Sequence, residues 1–171
     1  MDRATLRHAS PDDAALLAAL GARTFTETFG HLYPSEDLAA FLKHSYSTQR
    51  LADYLADPPA AAWILELEGE AIGYALVGAC DLPHSEVTAA CGELKRLYVL
   101  ADHRGGGRGG RLLDAALSHL EARGQRPIWI GVWSENFGAQ KLYGRLGFEK
   151  VGEYEFPVGG TRDREFILRR G

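Results

Sequence analysis

The strongest constraint on the fold lies mid-chain, where "GELKRLYVLADHRGGGRGGRLLDAALSHLEARGQRPIWIGVW" spans residues 92–133. Its first ten residues alternate apolar with polar and then turn apolar, the pattern of a strand. The stretch "HRGGGRGGR" follows, with five glycines and three arginines in nine positions. It opens a helix carrying Leu112, Leu113, Ala116, Leu117 and Leu120 on one face. "RPIWIGVW" is an apolar strand again. Two strands joined through one helix lie parallel in a sheet. On both sides the pattern is antiparallel instead. "AAWILELEGEAIGYALVGAC" reads as a hairpin around Glu68-Gly69-Glu70, and "EKVGEYEF" with "DREFILRR" as a hairpin around "PVGGT". The expectation is an α/β chain with a mixed, mostly antiparallel sheet of roughly seven strands and helices on both faces.

The N-terminal third supplies one short strand, "ATLRHA", and three helices. "SPDDAALLAALGARTF" carries Ser10 as N-cap, Pro11 at the first helical position and Asp13 for a capping box. "PSEDLAAFLKHSY" is predicted to start on Ser35 as its cap, and "STQRLADYLADPP" to stop at its prolines. No repeat or linker divides the 171 residues, so one domain over 1–171 is expected.

A glycine-rich helix start points to an anion. Its amides are unpaired, it carries about half a positive charge, and bare backbone allows close approach. Three folds write such a stretch. The P-loop pattern fails because Arg111-Leu112 stand where lysine and a hydroxyl belong. Gly105, Gly107 and Gly110 satisfy G-x-G-x-x-G, but "ADHR" separates them from the strand, whereas a dinucleotide fingerprint turns directly off it.

The third reading covers more of the chain. Arg104-x-x-Gly107-x-Gly109 resembles the phosphate loop of the GNAT acetyltransferases. "NFGAQKLYGRLGF" resembles that superfamily's N-x-x-A-x-x-x-Y-x-x-x-G-F motif, with Asn136, Ala139, Tyr143, Gly147 and Phe148 in place. "RTFTETFG" and "YSTQRL" extend the likeness toward PaiA-type polyamine acetyltransferases. The resemblance implies a three-layer α/β/α fold and an acetyl-CoA-dependent N-acetyltransferase. Gly105, Gly106, Gly107, Gly109 and Gly110, with Arg104, would cradle the pyrophosphate. Arg108 stands where relatives carry an apolar residue, and either phosphate or solvent suits it. Leu97, Tyr98 and Val99 would offer backbone groups to the cofactor arm and the carbonyl.

Roles in the chemistry follow from the same resemblance. Tyr143 would donate a proton to the departing thiolate, although Ala139, Leu142, Tyr143 and Leu146 also have the spacing of a core face. Glu93, eleven residues before Arg104, matches the general base of the histone-acetylating branch; an acid on an exposed strand face is the other reading. Asn136 would bond the cofactor arm or cap the helix it opens. Glu27 is the candidate acid for a cationic acceptor, beside Glu36 and Asp37, which equally suit a helix first turn. Polyamines head the acceptor class. Another amine, or a CoA-binding module without turnover, are the alternatives.

Composition removes other classes. A net charge of -4 argues against non-specific nucleic-acid binding and leans toward a cationic substrate. Cys80 and Cys91 lack metal-ligand spacing and the six histidines form no metal motif, so no metal is expected. No signal peptide or membrane-length apolar run is visible, and the cytoplasm is the expected compartment. A homodimer, common among such relatives, is compatible with the sequence.

Overall fold

The computed structural model describes residues 2–171. Strand β1 (Thr5–His8) leads into helix α1 (Ala14–Phe29), followed by α2 (Ser35–Ser45) and α3 (Thr48–Ala56). Strands β2 (Ala61–Leu67), β3 (Glu70–Ala79) and β4 (Gly92–Val99) precede α4 (Arg108–Ala122) and β5 (Ile128–Trp133). Helix α5 (Phe137–Arg145) and the hairpin of β6 (Glu149–Val158) with β7 (Thr161–Arg170) complete the chain. The seven strands form one sheet in the order β1-β2-β3-β4-β5-β7-β6. β4 and β5 form its parallel pair, joined through α4, and the other neighbours run antiparallel.

Helices cover both faces. The leucine stripe of α4 is wholly buried against β2–β5, and Tyr143 and Phe148 join that core. Each such leucine contributes roughly 1.5–3 kcal/mol. The opposite face packs Leu17, Leu20 and Leu51 from α1 and α3 on Ile64, Tyr74 and Leu76.

Local chemistry sets the boundaries. The Asp13 carboxylate accepts from the Ser10 amide at 2.9 Å, as the expected capping box requires. α1 runs four residues beyond the expected Phe25, and Thr24, Thr26 and Thr28 satisfy their hydroxyls on the helix's own carbonyls. Ser35 does not cap α2. Pro34, in extended conformation, takes that position, and its carbonyl accepts from Leu38 at 3.0 Å. Proline suits a place with no amide to satisfy. The β2–β3 turn places Glu68 and Gly69 at φ 53° and 86°, as a two-residue hairpin with two left-handed residues requires. Gly147, at φ 90°, ends α5, and the Phe148 amide turns back to the Tyr143 carbonyl at 3.0 Å.

Candidate active site

β4 and β5 stay in register only from Gly92–Leu94 against Ile128–Ile130. Beyond Leu94, β4 follows β3 as far as Val99, while β5 follows β7 to Trp133. A bulge helps to part them: Val77 faces Leu94 and Leu76 faces Arg96, so Lys95 is extra on β4. Such a bulge bends its strand and re-aims side chains. The split opens a cleft of about 490 Å³ through the sheet, lined by Glu93, Leu97, Tyr98, Asn136 and Tyr143 among others.

Glu93 is buried, at 6 % exposure. Its carboxylate accepts from the Asp81 amide at 3.1 Å and from Lys95 Nζ at 3.3 Å. Burial pushes its pKa up to about 7; Lys95 pulls it down and Asp81 adds a smaller rise. Lys95 is also paired with Asp81 at 2.9 Å. Glu93 therefore titrates near neutrality and sits on the cleft wall, not on an exposed strand face.

Tyr143 comes from the other side of the sheet. Its ring packs edge-on to Phe148, with centroids 5.9 Å apart, inside the α4 core. Burial lifts the phenol to about 12, so it keeps its proton at neutral pH. Packing and cleft lining thus coexist in one residue. Asn136 likewise divides its groups: Oδ1 accepts from the Ala139 amide at 3.2 Å and caps α5, and its amide nitrogen can still donate.

At the other end of β4, Gly105, Gly106 and Gly107 follow one another at φ 95°, 64° and 77°. A Cβ on any of them, or on Gly109 or Gly110, would meet nothing within 4 Å of protein. The glycines are therefore not required by packing. Three successive positive φ values shape a turn that side chains rarely adopt, and Gly109 and Gly110 lie in the first turn of α4, where amides have no intrahelical partners.

Arg104, Gly105, Gly106 and Arg108 border a second hollow of about 410 Å³. Arg104 Nε donates to the Val99 carbonyl at 3.2 Å and ties the loop to the end of β4. Arg108 faces neither solvent alone nor an open loop: it pairs with Asp2 at 2.9 Å and donates to the His103 carbonyl. That pairing, led by the Arg108 hydrogen bond, holds the Asp2 carboxyl down to about 2.

Glu27 lies elsewhere. Its Oε2 accepts from the Ala101 amide at 2.8 Å and its Oε1 pairs with Arg23, and it lines neither hollow. Glu36 and Asp37 also miss the cleft; Asp37 packs on Gly159 and accepts from the Gly160 amide. Val99, Gly107, Gly109 and Gly110 border neither hollow directly. Three acids that sequence reasoning missed do line the cleft: Asp81 before β4, and Asp163 and Glu165 on β7. In sequence Asp163 and Glu165 lie in the polar run Thr161–Glu165 that opens β7, with no local mark of function. Among the described residues no helix is long and apolar enough to cross a membrane, and no group of three metal-ligating side chains occurs.

Comparison with known proteins decides the family. The model of the acetyltransferase (GNAT) family matches residues 23–148, which include β4, the glycine loop and α5. The chain belongs to the GNAT family. An uncharacterized N-acetyltransferase of Mycobacterium tuberculosis is 31% identical over 158 residues, 92% of this chain and 97% of that one. One from the pepI 3′ region of Lactobacillus delbrueckii subsp. lactis is 28% identical over 161 residues, 94% and 93% of the two chains. The PaiA N-acetyltransferase of Thermoplasma acidophilum, solved in complex with coenzyme A, superposes with a TM-score of 0.75 at 18% identity, covering 99% of each chain. The GNAT chain is an acyltransferase with the open, mixed seven-stranded sheet of its neighbours.

Proposed function

We propose that the protein moves the acetyl group of acetyl-CoA to a primary amine by direct attack, with polyamines as the acceptor class, and that residues 1–171 form a single acetyltransferase domain. One observation carries this reading: Glu93 from one face of the sheet and Tyr143 from the other line a single cleft through the split between β4 and β5. The coenzyme A in the PaiA neighbour supports the choice of cofactor.

The residues fit that cofactor. The three left-handed glycines and the open first turn of α4 suit a pyrophosphate, since no protein atom fills the space before them. Leu97 and Tyr98 lie on the length of β4 that has left β5, where backbone groups are free for the pantetheine arm. The Asn136 amide nitrogen is available to the same arm. Acetyl-CoA supplies an activated thioester.

An ammonium has a pKa near 10.4, so at pH 7 its neutralisation requires roughly 4 to 5 kcal/mol. Glu93, ionised above about 7, takes that proton directly or through one water. The amine nitrogen then attacks the thioester carbon; a C–N bond forms and the C–S bond breaks. Backbone amides of the freed β4 edge oppose the charge gathering on the carbonyl oxygen. Tyr143 gives its proton to the sulfur, the acylated nitrogen releases its second proton to solvent, and the products are the amide and free CoA. The protonated Glu93 and the ionised Tyr143 return to their starting states through solvent.

Thiol release from acetyl-CoA, followed against spermidine, spermine, amino acids, aminoglycosides and short peptides, tests the proposal. Saturable release with a polyamine is expected. Release only with another amine retires the acceptor, and silence across the panel with acetyl-CoA bound retires turnover.

A further inference from the structure

The acceptor side of the cleft holds one charge that the protein leaves unanswered. Glu165 sits on β7 opposite Trp133 of β5 and Tyr154 of β6, on the sheet face that also carries Glu93 beside Trp129. Its carboxylate is half-buried and lines the cleft. Burial, and then neighbouring Asp163, raise its pKa to about 7, and no hydrogen bond contributes.

The basic residues around the cleft are engaged elsewhere. Lys95 is shared by Asp81 and Glu93. Arg96 lies over the Tyr46 ring at 4.2 Å, and Arg50 contacts His44. Arg164, next in sequence, alternates to the other face and pairs with Glu153. Asp163 takes the hydroxyl of buried Tyr33. A second acid beside Glu165 makes its ionisation harder still.

Partly burying a carboxylate without a partner is unfavourable. Nothing in the fold requires one here, because strand pairing at this position uses backbone alone. The cleft is also lined by Tyr143, a residue 7 % exposed whose hydroxyl makes no hydrogen bond to any described residue. Gly131, between Glu93 and Glu165 on that face, lets the Tyr154 hydroxyl lie close against the strand: a Cβ there would come within 2.7 Å of it, and Tyr154 itself lines the cleft.

Resting on the proposed acetyl transfer, we infer that Glu165, with Asp163 beside it, is the specificity-determining anchor for a second ammonium group, so that the enzyme selects extended di- or polycationic amines over monoamines. One strand separates β4 from β7, and Trp129 and Trp133 are four residues apart on it. At ~4.8 Å per strand and ~3.3 Å per residue, the Cα atoms of Glu93 and Glu165 stand roughly 16 Å apart before their side chains lean inward. A monoamine cannot meet both carboxylates across such a gap, whereas an amine with two well-spaced ammonium groups can. The reacting nitrogen lies toward Glu93 and Tyr143, and the distal ammonium stays charged against Glu165.

The test compares kcat/KM for spermidine and n-butylamine at saturating acetyl-CoA, in wild type, Glu165→Gln and Asp163→Asn. Loss of a partly buried ion pair predicts a drop of about 10- to 50-fold for spermidine in Glu165→Gln, through KM, with kcat within about 3-fold. Activity on n-butylamine, weak in all three proteins, stays within about 3-fold, and Asp163→Asn gives a smaller loss of the same kind. Equal losses on both amines, or none on either, overturn the anchor while leaving acetyl transfer intact. Absence of thiol release from every amine in wild type is instead the failure of the transferase reading, and the anchor falls with it. Should Glu165→Gln melt early, calorimetric binding of spermidine to Asp163→Asn with CoA present decides the matter: unchanged affinity counts against the anchor.

Discussion

The glycine loop and the cleft between β4 and β5, the proposed acceptor end, are made from different materials. At the loop end the groups that face outward are backbone: glycines at positive φ and first-turn amides of α4, supplied by seven consecutive residues from Arg104 to Gly110. At the acceptor end they are side chains gathered from β4, β7, the segment after α1 and the loop before β4; Tyr33 and Asp163 meet across 130 residues of sequence. Backbone recognition tolerates any side-chain change that leaves the conformation alone. Side-chain recognition is altered by single substitutions.

The largest expected effect breaks the acceptor end. Glu93→Gln should lower kcat/KM about 100-fold or more at pH 7, the usual scale of a lost general base. Only ionised Glu93 accepts a proton, so wild-type kcat/KM should climb with pH through about 7, and the variant should lose that limb. The same shift carries a stability sign. A folded-state pKa raised from 4.5 to about 7 favours the protonated fold. That advantage is complete below the unfolded value and is lost as pH rises through about 7. Buried charge then weighs against wild type by roughly 3 kcal/mol, so thermal melts should show Glu93→Gln gaining on wild type between pH 5 and pH 8.

The loop end breaks differently. Gly107→Val forces a β-branched residue into φ 77° and fills the space in front of the loop. It should weaken acetyl-CoA binding by about 30-fold or more in calorimetry, while the protein folds, since no described atom opposes the new side chain.

The smallest effect sharpens the contrast. Gly109 and Gly110 are helical, lack positive φ and have open space around their Cβ positions. Alanine at either should stabilise the protein by about 0.5–1 kcal/mol in denaturant melts, and should weaken acetyl-CoA binding by only about 2- to 5-fold. A stabilised protein with tighter binding would contradict the proposed cradle.

This difference in material also explains what could be read from sequence. The loop and helix positions of Arg104, the glycines, Asn136 and Tyr143 are legible because each motif lies within one loop or one helix, where spacing translates directly into geometry. The sheet was legible for a similar reason, since strand–helix–strand and hairpin patterns are local. Glu165 was not legible: its position opposite Trp133 depends on β7 inserting between β5 and β6, which no local spacing encodes. Glu27 was chosen by charge alone, and its carboxylate is used on the Ala101 amide, a demand set by a turn 74 residues away. Arg108 was ambiguous because its partner, Asp2, is 106 residues distant.

The most direct test of the account is Tyr143→Phe, measured for thiol release with spermidine and for acetyl-CoA affinity in the same preparation. The account predicts a fall in kcat of about 100-fold or more with acetyl-CoA affinity within about 2-fold, because the ring still packs on Phe148 and only the proton donor is gone. Equal turnover in the two proteins would contradict it.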